Sequence, residues 1–207
     1  MKKTILFLFL LQTFLTATAQ KNFIGIIKYR LTVEGGSETI TDSMTVIFDN
    51  DRVKLIFYLP ESLQSTVVNE KAFIDDFSEK SSYSVDPVNK SYKRDTLKPF
   101  SGFDFINTRK FASANNNICF VYQSTAPKNG QSVVNNATCL ASIDYQNNQI
   151  KDYAFLGFQP FITDNRIILD FTTMLSGGKK SRFYVYEITP LDNVDFYFDL
   201  WGFRKVQ

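Results

Sequence analysis

Histidine is absent from the 207 residues of the sequence. This absence excludes histidine-based catalytic triads and general bases, and nearly all common zinc, copper and non-haem iron sites. The densest group of oxygen ligands, Asp49-Asn50-Asp51, lacks the longer spacing and the later glutamate of a calcium loop. We interpret it as a hairpin turn, and we predict that the protein holds neither a metal ion nor a cofactor.

Cysteine is scarce, since only Cys119 and Cys139 occur. An even pair in an exported protein usually forms a disulfide. A bond closing a loop of about 20 residues would stabilise the fold by ~3 kcal/mol through the unfolded state. The alternative is a pair of reactive thiols, but there is no C-x-x-C spacing and no histidine to lower a thiol pKa. We therefore predict a disulfide between Cys119 and Cys139.

Long apolar runs are missing beyond the N-terminal residues, and residues 1–19 have the pattern of a secretory signal peptide. Lys2 and Lys3 precede the apolar run Ile5–Leu11, and Ala17-Thr18-Ala19 is a small-residue cleavage site. The run is too short for a helix that crosses ~30 Å of hydrocarbon, although an uncleaved anchor is the alternative. We predict export to the periplasm or cell envelope of a Gram-negative bacterium, with no transmembrane segment after cleavage.

A strong net charge is also lacking. The sequence has 23 basic and 21 acidic residues, so removal of Lys2 and Lys3 with the signal peptide leaves 21 of each. A neutral chain has no electrostatic footprint for a polyanion, and we expect no nucleic-acid partner. Lys90, Lys93, Arg94 and Lys98 form a local basic cluster, which we interpret as a solvated strand face.

Alternation of apolar and polar residues dominates the rest of the chain. It runs through Phe23–Val33, Ile40–Phe48 and Val53–Leu59, and turn-forming residues separate these runs at 34–37 and 49–51. A period of two is typical of strands with one buried face, and such short polar connections are typical of hairpins. The first sixty residues therefore predict three strands of an antiparallel meander.

The same reasoning predicts more short strands along the chain, with turns at Asp86-Pro87-Val88-Asn89 and Ser176-Gly177-Gly178-Lys179. The predicted strands are Lys71–Phe77, Ser81–Val85, Ser91–Thr96, Ile118–Ser124, Thr138–Tyr145, Lys151–Phe155, Arg166–Thr172 and Arg182–Thr189. Helix is expected only over Glu61–Asn69 and Gly102–Ala114, with a short terminal element at Val194–Leu200. No linker and no repeat interrupts the pattern, so residues 20–207 are predicted to form a single β-rich domain.

Motifs for catalysis are not found. Ser176-Gly177-Gly178-Lys179-Lys180-Ser181 does not meet the phosphate-loop pattern, and no G-x-S-x-G occurs. Asp75 and Asp76 are adjacent, so on a strand they point to opposite faces and cannot act together on a substrate. We predict that the protein is not an enzyme and has no catalytic residues.

Aromatic residues are abundant, with 21 Phe and 10 Tyr, and in several predicted strands they occupy odd and even positions, which face opposite sides of the sheet. Phe183 alternates with Tyr184 and Tyr186, and Tyr197 lies between Phe196 and Phe198. A curved sheet lined with such rings can hold an acyl chain or another apolar ligand. The alternative is that the rings only fill the core, since Phe and Tyr favour strands. The pattern leaves the ligand-binding residues unknown.

Several short motifs resemble a known family. They are Phe23-Ile24-Gly25-Ile26-Ile27-Lys28-Tyr29, the segment Phe48–Lys54, Tyr83-Ser84-Val85-Asp86-Pro87 with Lys90-Ser91-Tyr92, Tyr186–Pro190, and Phe198–Val206. Phe111–Cys119 stands where that family has an I-A-G-Y-x-C segment, of which the cysteine matches. The series resembles exported families of Bacteroidota whose domains are similar to the lipoprotein-carrier (LolA/LolB-like) half-barrel.

This resemblance implies the fold and the function that we expect. The fold class is mainly β, a single curved antiparallel sheet or incomplete β-barrel with one to three short helices covering the concave face. The implied function is an exported cell-envelope protein that binds an apolar ligand, a lipid or a lipoprotein acyl chain. An envelope protein is a further expected partner. The alternative function is a non-catalytic structural or interaction domain with a filled core and no ligand.

Overall fold

A computed structural model describes residues 22–34, 40–58, 70–98, 104–124, 134–155, 159–175 and 178–206. Within these ranges the chain forms fourteen strands and one short helix. The strands are β1 Gly25–Glu34, β2 Ile40–Phe48, β3 Arg52–Tyr58, β4 Glu70–Asp76, β5 Ser81–Asp86, β6 Ser91–Thr96, β7 Ile106–Ala114, β8 Asn117–Ser124, β9 Val134–Gln146, β10 Tyr153–Phe155, β11 Gln159–Thr163, β12 Arg166–Leu175, β13 Lys180–Pro190 and β14 Arg204–Val206. The helix, α1, is Asp195–Phe198.

All the strands belong to one sheet that does not close. Its order is β14-β6-β5-β4-β3-β2-β1-β13-β12-β9-β8-β7, and the β10–β11 hairpin branches from β12. The sheet curves, since residues from β1–β3 at its middle share one core with residues from β8 and β9 near one edge. The predicted class, a mainly β incomplete barrel, is confirmed.

Alternation in the sequence explains the first strands. In β1, Ile27 and Tyr29 are fully buried, whereas Lys28 and Arg30 between and after them are more accessible. The strand pairs with β2 on one side and with β13 on the other, both antiparallel. We call the face that bears Ile27 and Tyr29 the inner face, because it looks onto the larger core.

The predicted turns at Asp49–Asp51 and Asp86–Asn89 are present. Asp49 accepts hydrogen bonds from the Arg52 guanidinium, one of them at 2.9 Å from Nε, while the backbone N–H of Asp49 donates to the carbonyl of Arg52 at 2.9 Å. In the second turn the Asp86 carboxylate accepts from the backbone N–H of Asn89 at 2.9 Å. These bonds satisfy polar groups where the chain reverses, which is what short turns require.

The helix predicted over Gly102–Ala114 is wrong, because residues 106–114 form β7. The cause is the turn that follows: Asn115 and Asn116 both have positive φ, 47° and 60°, and β7 pairs with β8 across them. Two consecutive left-handed residues make the hairpin turn whose twist matches that of paired strands, and asparagine tolerates this conformation. Asp164 and Asn165, at φ 51° and 63°, join β11 to β12 in the same way.

The larger core lies on the inner face and contains most of the buried rings. Its fully buried aromatic residues include Tyr29, Phe48, Phe161 and Phe183. The β10–β11 hairpin contributes Tyr153 and Phe161 to this core. The hairpin therefore occupies part of the space that the curved sheet encloses.

A smaller core covers the other, outer face of the first strands. Ile47, Ala72, Ile74 and Val85 of the sheet pack there with Val194 and Phe198 of the C-terminal segment. Helix α1 is fixed to this face by Arg52, whose guanidinium donates to Asp195 at 2.5 Å, and by Lys54, which donates to the Tyr197 carbonyl at 2.7 Å. The one helix of the described ranges thus packs outside the sheet, while the β10–β11 hairpin lies inside.

The predicted signal peptide, residues 1–19, and the predicted helix over 61–69 lie outside the described residues. Among the helices that the structure describes, none is long and apolar enough to span a membrane.

Candidate functional site: an aromatic shelf on the inner face

The centre of the inner face is filled by the protein's own rings. Tyr29 stacks on Phe183, with ring centroids 4.5 Å apart and planes at 4°, and meets Phe161 edge-on at 5.4 Å. The Tyr29 hydroxyl donates to the carbonyl of Ile168 at 3.0 Å. Burial raises the pKa of Tyr29 far above its usual value, so this hydroxyl stays neutral. This part of the interior is ordinary close-packed core.

Beside it lies a second group of rings that remain partly accessible. Phe57 of β3, Phe73 of β4 and Phe155 of β10 are all half-buried. Their centroids are 6.0 Å apart for Phe57 and Phe73, 5.2 Å for Phe57 and Phe155, and 4.9 Å for Phe73 and Phe155. We call these three residues the aromatic shelf. Three rings in mutual contact that solvent still reaches form an apolar accessible surface on the inner face.

A buried hydrogen-bonded pair lies on two of the strands that carry the shelf. The hydroxyl of Tyr153 donates to the Asp75 carboxylate at 2.6 Å, and both side chains are buried. Burial and the neighbouring Asp75 charge raise the pKa of Tyr153 well above its usual value, so the tyrosine keeps its proton. Tyr153 also stacks on Phe161 at 5.9 Å, and so the pair fixes β10, and with it Phe155, against β4.

A groove at one end of the sheet is a different kind of concavity. Its volume is about 380 Å3, and its lining includes Phe23, Tyr145 and Leu191 together with the carboxylates of Asp144 and Asp192. Phe23 and Tyr145 contact each other edge-on at 5.0 Å. Because charged and apolar groups alternate around this groove, it suits an acyl chain less well than the shelf does.

The two cysteines are free thiols in the structure, and both are buried. Cys119 lies opposite Ser142 and Cys139 opposite Tyr122, so the thiols stand three register positions apart on β8 and β9. Three strand residues span ~10 Å, more than the separation of Cα atoms that a disulfide bridges. Burial raises the pKa of Cys119 to about 11, which makes this thiol a poor nucleophile. The disulfide between Cys119 and Cys139 stays a prediction, and its formation would require the backbone of β8 or β9 to move from this register.

The polar candidates of the sequence do not meet in one place. Asp75 is buried against Tyr153, whereas Asp76 accepts hydrogen bonds from Ser78 and Glu79 in the following turn, so the expected opposite orientation is confirmed. Lys90, Lys93, Arg94 and Lys98 are all exposed, as expected for a solvated strand face. Within the described ranges no group of three or more Cys, Asp or Glu is placed to hold a metal ion.

The aromatic candidates separate into three environments. Phe183 belongs to the larger core and Phe198 to the smaller one. Tyr184 and Tyr186 lie under the guanidinium groups of Arg182 and Arg30, at 4.9 and 5.1 Å, and Phe196 is 69% exposed. Alternation correctly separates Phe183 from Tyr184 and Tyr186, but it is wrong for Phe196 and Phe198, which it places on one face although they lie on α1 in different environments. None of these residues belongs to the shelf.

Comparison with known proteins concerns the fold. No protein family model matches the sequence, and no curated protein matches it. The structure of PNGF-II overlaps 87% of the chain with a TM-score of 0.54 at 10% identity, and the chain spans 30% of the length of that protein. A LolA superfamily protein from Nitrosomonas europaea overlaps 87% of the chain and 91% of its own length, with a TM-score of 0.38 at 10% identity.

A candidate outer membrane lipoprotein-sorting domain from Vibrio parahaemolyticus overlaps 82% of the chain and 86% of its own length, with a TM-score of 0.37 at 11% identity. The overlap with PNGF-II shows a shared fold over the matched part, and the fold alone.

Proposed function

We propose that the protein is an exported cell-envelope protein that binds an apolar ligand, a lipid or a lipoprotein acyl chain, against the aromatic shelf. The supporting observation is the contact of Phe57, Phe73 and Phe155, which stay half-buried inside a curved and unclosed sheet. The proposal includes removal of residues 1–19, a single domain over 20–207, and no catalytic step.

The chemistry of the shelf favours hydrocarbon over a polar ligand. Asp75 and Tyr153, two residues along their strands from Phe73 and Phe155, already bond to each other at 2.6 Å. An acyl chain on the shelf would gain about 25 cal/mol for each Å2 of apolar surface removed from water. A polar group in the same place would lose its hydration without a free partner in that pair, which costs binding energy.

A second function has an observation in its favour. Tyr29, Phe161 and Phe183 fill the centre of the inner face with direct ring contacts. If this packing continues around the shelf, the protein is a structural or interaction domain of the envelope that carries no ligand.

Native mass spectrometry and a fluorescent fatty acid distinguish the two functions. The full chain is exported in a Gram-negative host, purified without detergent and weighed intact. We expect a mass excess that corresponds to bound lipid, and enhanced probe fluorescence that saturates with protein. Protein that is free of lipid and leaves the probe unchanged would establish the second function instead.

A substitution locates the site. Phe155→Ala removes one ring of the shelf, and burying a ring on a ligand is worth roughly tenfold in affinity, so the probe should bind about ten times more weakly. Phe111→Ala is the matched control, because Phe111 is a 62% exposed ring on β7 and should leave binding unchanged. Equal loss in both variants, or none in either, contradicts the assignment to the shelf. Thermal unfolding of each variant separates lost binding from lost folding.

A further inference from the structure

The single tryptophan of the sequence, Trp201, is 90% exposed. Its backbone N–H donates to the Asp199 carboxylate at 2.7 Å, which fixes the turn that presents it. A large amphipathic ring that is fixed in water gains nothing from the fold of its own chain. Tryptophan in such a position is typical of surfaces that meet a membrane interface or a partner.

The sheet topology brings a second apolar residue and a basic group to the same corner. β14 runs parallel to β6, with Arg204 beside Ser91, and the backbone N–H of Arg204 donates to the Lys90 carbonyl at 2.8 Å. Because the strands are parallel, the turns that precede them lie at the same end. One turn carries Trp201, and the other carries Val88, which is 63% exposed.

The exposed cations of this corner have no ion-pair partner among the described residues. Lys90, Arg204 and Lys205 are exposed, and no ion pair in the described part of the chain involves any of them. The same turns carry two carboxylates, Asp86 and Asp199, which accept hydrogen bonds from Asn89 and Trp201 and keep their charge, so the corner has three cations against two carboxylates. We call Val88, Lys90, Trp201, Arg204 and Lys205 the edge corner.

We propose that the edge corner docks on a membrane surface that contains anionic phospholipid, with Trp201 and Val88 entering the interface and the three cations facing the phosphate groups. The excess of cations over carboxylates favours this occupant, since each lysine or arginine near an anionic surface contributes to attraction. The corner lies on the outer edge of the sheet, away from the aromatic shelf, so the proposal does not depend on a bound ligand.

Trp201 itself reports on the docking, because no other tryptophan contributes to the emission. The full mature chain is titrated with vesicles of phosphatidylcholine and with vesicles that also contain phosphatidylglycerol. We expect a shift of the emission to shorter wavelength with the anionic vesicles, weakened by salt. No shift with either vesicle overturns the proposal, and an equal shift with both overturns the role of the cations.

Variants test the two contributions separately. Arg204→Gln with Lys205→Gln removes two charges and should weaken vesicle binding, measured by co-sedimentation, by roughly 30-fold. Trp201→Ala should lose most of the sedimented protein, whereas Phe111→Ala, at the opposite edge of the sheet, should behave as the unmodified chain. Loss in Phe111→Ala equal to that in Trp201→Ala contradicts docking through this corner.

Two further outcomes identify another occupant. A shift of Trp201 emission with protein concentration alone, together with a dimer in gel filtration that Trp201→Ala abolishes, would assign the corner to self-association and overturn the proposal. Circular dichroism melts of all variants test for misfolding. Because Trp201 is exposed, its replacement should have little effect on folding.

Discussion

Individual residues in the interior determine what chemistry the protein can perform. Tyr29, Tyr122 and Tyr153 all have raised pKa values, through burial and, for the last two, through hydrogen bonds to carboxylates. Neutral phenols and buried thiols supply structure rather than ionised nucleophiles. That the protein is not an enzyme stays a prediction about its function.

The buried pair of Asp75 and Tyr153 is open to a direct test. Tyr153→Phe leaves the Asp75 carboxylate buried without its 2.6 Å donor, and we expect a loss of about 1–3 kcal/mol in the free energy of unfolding by urea. Adding Asp75→Asn to Tyr153→Phe should recover part of that loss, because the uncompensated charge disappears. This account would be contradicted if the double variant lost more free energy of unfolding than the two single variants lose together.

The tyrosines also predict how stability depends on pH. Burial raises the pKa of Tyr122 to about 12 in the folded protein, and the pKa of Tyr153 is raised as well. Their contribution is complete below the unfolded value of about 10 and is lost as pH rises through the folded value. Urea unfolding followed from pH 9 to pH 12 should therefore show falling stability. Tyr153→Phe should show a smaller fall, and an equal fall would contradict the assignment.

At the scale of single residues, the sequence indicated local chemistry but not the site. The opposite faces of Asp75 and Asp76 follow from strand geometry alone. The shelf could not be predicted in the same way, since Phe57 and Phe155 are about a hundred positions apart and meet only because the β10–β11 hairpin folds into the sheet.

Strands and turns were the most predictable elements, and two of the missed strands share one cause. Alternation found most of the strands, including Ser91–Thr96 within its observed bounds. Both β7 and β11 were missed although each adjoins an asparagine-containing turn, Asn115-Asn116 or Asp164-Asn165, with two positive φ angles. These dipeptides are the signal that would have found them. β14 could not be found locally, because three residues form a strand only through the long-range pairing with β6.

The Asn115-Asn116 turn yields a prediction for its hairpin. Asn116→Val places a β-branched residue at φ 60°, where left-handed geometry costs roughly 1–2 kcal/mol. We expect the free energy of unfolding to fall by about that amount, and Asn116→Gly to raise stability or leave it unchanged. Ser113→Val, on the exposed surface of β7, is the control with ordinary geometry, and should change stability by less than about 0.5 kcal/mol.

Helix α1 offers a matched pair of substitutions two residues apart. Phe198 is buried in the smaller core and lies 4.5 Å from the Arg52 guanidinium, whereas Phe196 is 69% exposed. Phe198→Ala should cost about 3–5 kcal/mol in thermal or urea unfolding, and Phe196→Ala less than about 0.5 kcal/mol. Similar losses in both variants would show that the C-terminal segment does not stabilise the outer face as described.

Within the described ranges, the molecule is one sheet with two largely covered faces and two edges. Rings and the β10–β11 hairpin fill part of its inner face and leave the aromatic shelf accessible, the C-terminal segment covers the outer face of the first strands, and β7 and β14 end the sheet. The general architecture was predictable because a period of two persists along the chain. What covers each face was not predictable, since the hairpin and α1 reach their positions through contacts between distant segments.

Export is the prediction that concerns the entire chain. The proposed signal peptide places Lys2 and Lys3 before the apolar run and Ala17-Thr18-Ala19 at its end. Expressed in full in a Gram-negative host, the chain should appear in the periplasmic fraction with Gln20 as its first residue, as determined by intact mass and N-terminal sequencing. Ala19→Arg places a large charged residue where the peptidase requires a small one, so the longer precursor should accumulate at the membrane. If the exported protein retains residues 1–19, these residues act as an anchor. The proposed lipid-binding protein would then be held at the membrane.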